Sequence, residues 1–93
     1  MEPIDVKRRV DEEIAGSSHN AQGWDFRAHL LREPELREYR DDTGKPLQLW
    51  LVLRESDDGY HIVFDPDEDE FGLATAGVVV GWHGTFMDTV NGM

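Results

Sequence analysis

The stretch that decides the fold is residues 47–65, LQLWLVLRESDDGYHIVFD. Leu47, Leu49, Leu51 and Leu53 fall on one side of an extended chain. Gln48, Trp50, Val52 and Arg54 fall on the other. Period-two alternation is the signature of a strand, and a second face that is half apolar predicts a strand covered on both sides. Glu55-Ser56-Asp57-Asp58-Gly59 follows as a turn, with Asp58-Gly59 suited to positive φ. Tyr60, Ile62 and Phe64 then alternate with His61 and Val63. The segment predicts a central hairpin in which Trp50 and Tyr60 meet across the strands.

Working outward, residues 41–46 (Asp-Asp-Thr-Gly-Lys-Pro) form a turn by composition. Before it, Glu35 to Arg40 reads as a short edge strand or a helical turn, and Pro34 interrupts what precedes. In residues 24–30, Trp24, Phe26, Ala28 and Leu30 alternate with Asp25, Arg27 and His29. Helical spacing also fits part of this run, but the alternation favours a strand. Residues 17–23 are a loop rich in Ser, Asn and Gly, expected to be flexible. Residues 3–15 predict a helix: Pro3 suits its first turn, Gly16 its end, and Val6, Val10 and Ile14 make a narrow apolar stripe. Its charges, including Arg8 with Glu12 and Arg9 with Glu13 at i, i+4, are expected to form a solvated face.

Beyond the hairpin lies the acidic run Asp65-Pro66-Asp67-Glu68-Asp69-Glu70. Residues 71–74 and 78–82 read as two further short strands. Thr85 followed by Asp88 resembles a capping box for a terminal helical turn over residues 85–93. The expectation is one α+β domain over residues 1–93: an N-terminal helix, about five short antiparallel strands in a curved sheet or small open barrel across residues 24–84, and a short C-terminal helix. In layout alone this order is similar to Sm-like and SH3-like small barrels. No Sm signature glycine and asparagine positions accompany it.

Composition narrows the function. The 93 residues carry 20 acids and 9 bases, a net charge of −11, with no cysteine. That length holds one modest core, and three Trp and four Phe exclude disorder throughout. Without cysteine there is no disulfide, thiolate metal site or thiol nucleophile. No secretory leader is visible at the N-terminus, and the uncharged run 71–87 is interrupted by glycines and too short to span a membrane. A cytoplasmic protein without membrane contact is expected. The charge is polarised: residues 1–54 hold 11 acids and all 9 bases, whereas residues 55–93 hold 9 acids and no base. Such a C-terminal half repels phosphate backbones and attracts a basic partner.

Four sets of residues are candidates for chemistry or contact. Asp65, Asp67 and Asp69 have the spacing that opens a calcium loop, but Glu70 and Ala76 stand where that loop needs Gly and Glu. With Glu68 and Glu70 they are expected instead to present an acidic surface to a basic protein. The four histidines, His19, His29, His61 and His83, lack any zinc-type spacing, and no metal or cofactor is expected. Trp82-His83-Gly84-Thr85 lies between a strand and a helix start, where a small pocket and an anion-binding helix end are conceivable. His61 is a further candidate for that pocket. Its competing reading is a core Trp with glycines for a bend. Last, the Trp50–Val52 face needs cover from Trp24, the C-terminal helix or another subunit.

The leading expectation is therefore a small acidic protein, similar to many short bacterial ones, that works without catalysis. It binds a basic partner through its acidic half, or itself through an exposed sheet face. The alternative is a ligand binder or enzyme around Trp82, His83 and Thr85. A nucleic-acid-binding barrel of Sm-like layout comes third, because it would need the nine bases to converge against the net charge.

Overall fold

A computed structural model of the chain describes residues 1–16, 25–56 and 58–93. Helix α1 (Pro3–Ala15) is followed by a single 3-10 turn (Phe26–His29). Five strands come next: β1 (Leu30–Arg40), β2 (Pro46–Arg54), β3 (Tyr60–Asp65), β4 (Glu70–Thr75) and β5 (Val78–Gly84). Helix α2 (Phe86–Asn91) ends the chain. The strands pair in sequence order, β1-β2-β3-β4-β5, and the sheet closes on itself as a ring. The expected α+β architecture is thus present. No helix among the described residues is long and apolar enough to cross a membrane.

The ring is uneven for a reason of parity. Four successive antiparallel pairings leave β1 and β5 running in the same direction, so the closing contact must be parallel. It consists of one pair, Arg40 with Val78, reinforced by the Arg40 N–H donating to Gly77 O at 2.8 Å. The last residue of β1 meets the first of β5, and each strand then runs away from the other.

The core lies in two parts. One gathers residues from all five strands: Tyr39, Leu47, Leu49, Val63, Ala74 and Val79. The other packs both helices against β2, β3 and β4. Val6 and Val10 of α1 and Phe86 and Val90 of α2 join Phe26, Trp50, Val52, Ile62, Phe64, Phe71 and Leu73. The apolar stripe of α1 therefore does face the sheet. β3 feeds both parts, Ile62 and Phe64 into one and Val63 into the other, as its apolar run requires.

Several local expectations are corrected. Phe26–His29 is helical rather than extended, and the strand begins only at Leu30. Phe26 is buried edge-on to Phe86, centroids 6.0 Å apart, while Ala28 is exposed, so the alternation was not a buried face. Trp24 and the loop expected at residues 17–23 lie outside the described residues. Pro34 does not interrupt β1. The ladder to β2 shifts register between Leu30 and Glu35, and Pro34 sits buried inside that irregularity, where its missing N–H removes no ladder bond. Trp50 lies opposite Phe64, and Tyr60 opposite Thr75, so the expected Trp50–Tyr60 contact is absent. Gly59 does not adopt positive φ; positive φ is found instead at Gly44, Asp69, Ala76, Gly77 and Gly84.

Candidate functional site

The β4–β5 hairpin is joined by two residues, Ala76 (φ 52°) and Gly77 (φ 78°). Positive φ at both positions is the requirement of a type I′ turn, whose twist matches that of the flanking strands. The returning strand is irregular. Ala74 pairs with Val79 and Leu73 with Gly81, which leaves Val80 as an extra residue. A second shift places His83 outside the pairing between Trp82–Gly72 and Gly84–Phe71. Val80 is consequently 57% exposed. Trp82 lies across Gly72 so closely that a Cβ there would sit 2.6 Å from the indole ring. Glycine at 72 is what lets the indole lie close against β4, and Trp82 remains 38% exposed.

Among the described residues, the outer side of β5 carries no strand partner past Val78, since the pair seen with β1 is at its first residue. Its sequence, VVVGWHG, contains no Asp, Glu, Lys or Arg. β1 differs sharply: six of its eleven residues are charged, and it contains a proline. Charge and proline on an edge block unwanted strand pairing. β1 has that protection and β5 lacks it.

The pairing and the chain order bring several acids towards the Gly84 end of β5. Glu70 begins β4 next to Phe71, the partner of Gly84, and Asp67 and Glu68 are exposed in the preceding turn. Asp88 is exposed on α2. Asp65 is turned inward on its own loop, accepting the Asp67 N–H at 2.9 Å. Asp69, expected as part of the free acidic surface, is bound by Arg9 of α1. The same guanidinium donates to Glu13 at 2.9 Å and lies 5.7 and 5.9 Å from the Phe64 and Phe71 centroids. Among the described residues, no group of three or more His, Asp or Glu is arranged to hold a metal ion.

The pocket expected around Trp82, His83 and Thr85 takes a different form. Thr85 caps α2, its Oγ1 accepting the Asp88 N–H at 3.1 Å. The Phe86 N–H, which an anion would have used, donates to Glu13 Oε1 at 2.7 Å. A side chain of the chain itself thus fills the end of α2. The His83 ring packs over Gly92, within 2.8 Å of where a Cβ would be. His61 is not part of this group. It sits opposite Ala74 on β3, and its Nδ1 lies 3.1 Å from the Tyr39 hydroxyl. Tyr39 is 3% exposed, and burial pushes its pKa up to about 12, with Glu35 adding to the rise and Arg37 and Arg54 opposing it. Tyr60 is exposed at the start of β3. Trp50, 7% exposed, belongs to the core, where its face is covered by the chain's own helices.

The sequence reading missed two features. Glu13 and Arg9 look like members of a solvated helix face, and the only local signal of their role is their i, i+4 spacing. A hollow of about 260 Å³ between α1 and β1, lined by Pro3, Ile4, Lys7, Arg32, Glu33 and Pro34, had no sequence signal. Among the described residues, Lys7, Arg9, Arg37 and Arg40 lie within 4 Å of a carboxylate of the chain itself. No protein-family model, curated protein or solved structure matches the chain.

Proposed function

We propose that this protein is a non-enzymatic interaction module whose contact element is the outer edge of β5. The observation that carries the reading is an uncharged strand with a free edge and two exposed apolar side chains, Val80 and Trp82, in a chain that is 31% charged. A free edge offers backbone N–H and C=O groups in register, and an extended segment of another protein can add to it as a further strand. Backbone pairing supplies affinity, and side chains such as Val80 and Trp82 supply selectivity. The ligand-site alternative loses support because Glu13 occupies the end of α2. The nucleic-acid alternative loses support because several of the required cations are engaged by carboxylates.

The test is selection of displayed random peptides on the immobilised protein. Extended peptides are expected to be enriched on the wild type and lost on Val80→Lys and on Trp82→Ala. Ala28→Lys, an exposed change on the 3-10 turn, should leave binding intact. Peptides that bind Val80→Lys as well as wild type would place the contact elsewhere and overturn the reading.

A further inference from the structure

We infer that the segment received by the β5 edge is cationic, with its Lys or Arg residues lying over the Gly84 end of the strand. This rests on the edge reading above and names the partner's chemistry.

The strand itself is neutral, so the charge of its surroundings decides which segments approach. At the Val78 end stands Arg40, which donates to Gly44 O at 2.9 Å and lies 3.9 Å from Glu38. At the Gly84 end stand Asp67, Glu68, Glu70 and Asp88. The base that reaches the neighbouring turn, Arg9, is committed to Asp69 and Glu13. No base follows Arg54 in the sequence. The edge is therefore electrically polar, and among the described residues no base lies within 4 Å of Asp67, Glu68, Glu70 or Asp88 at its negative end.

A second copy is the obvious competitor for a bare edge. Pairing two β5 edges would bring together two halves that each hold nine acids and no base. Like charges at close range across an interface disfavour that partner. A strand with apolar residues facing Val80 and Trp82 and a basic flank meets the apolar and the charged part of the surface together. Complementary charge also speeds the encounter and makes it salt-dependent.

The experiment uses three display libraries of extended peptides of about eight residues, matched to a strand's length. One flank is fixed as Lys, as Glu or as Ser. The lysine library is expected to enrich on the wild-type protein and the glutamate library to fail. The best lysine peptide should weaken about threefold for each of Asp67→Asn, Glu68→Gln and Asp88→Asn, as exposed ion pairs do. Those differences should vanish near about 0.5 M salt. Equal enrichment of all three libraries would overturn the inference and leave the edge reading standing. Enrichment of none would overturn both. A wild-type dimer in sedimentation that Val80→Lys dissociates would put a second copy at the edge and also overturn the inference.

Discussion

Ala76 holds φ at 52° in a turn that demands it, although it carries a Cβ. The left-handed region costs a non-glycine residue on the order of 1 kcal/mol, and Asn is the side chain that best tolerates it at this position. Ala76→Asn is therefore expected to raise stability by about 0.5–1 kcal/mol in urea unfolding. Tyr39 gives a pH-dependent expectation. Its folded pKa is raised, so between pH 10.0 and about 12 the unfolded chain loses the phenolic proton while the folded chain keeps it. Fewer protons on the unfolded state mean that stability falls as pH rises through this window. Tyr39→Phe should flatten that decline in unfolding curves taken from pH 9 upward; an unchanged slope would assign the decline to other groups.

Among the elements, α2 is too short to stand without support. Its first free N–H is met by Glu13, which at the same time holds Arg9 over the Phe64 and Phe71 rings. Glu13 thus ties α1, α2 and the β3–β4 turn together. Glu13→Ala leaves a half-buried N–H without its acceptor and should cost about 1–3 kcal/mol. Glu13→Gln keeps an acceptor for Phe86 and should cost less, as read from the two denaturation midpoints. The elements were mostly legible in the sequence where a local period is backed by burial, as in Val6, Val10 and Ile14 of α1 and the leucines of β2. Residues 26–29 were not, because one aromatic driven into the core outweighs four residues of alternation. The task of Glu13 was hidden as well, since its partner Phe86 is 73 residues away. Val80 and Trp82 have the letters of a core strand. Their exposure follows from the register shift against β4 and the offset between β1 and β5, which no local pattern encodes.

For the whole molecule, the net charge of −11 works against the compact state through self-repulsion. The ion pair of Arg9 with Asp69 is a contact in which a base of the first half neutralises an acid of the second. Repulsion among many exposed carboxylates is long-ranged and easily screened, whereas close pairs are screened less. Stability against urea should therefore rise as salt is raised from about 0.01 to about 0.5 M. A fall would mean that the close pairs outweigh the general repulsion.

The order β1-β2-β3-β4-β5 has a kinetic consequence. Every extensive ladder joins neighbours in sequence through a short turn, so most of the sheet needs only local chain closure. Topologies rich in local pairing fold fast for their size. The Arg40–Val78 pair is the exception, since it links distant positions and has little ladder to reward the closure. The meander should assemble first and the ring shut last. On the way back, the seam is where unfolding begins, and substitutions at Val78 act on the rate of opening far more than on the rate of folding.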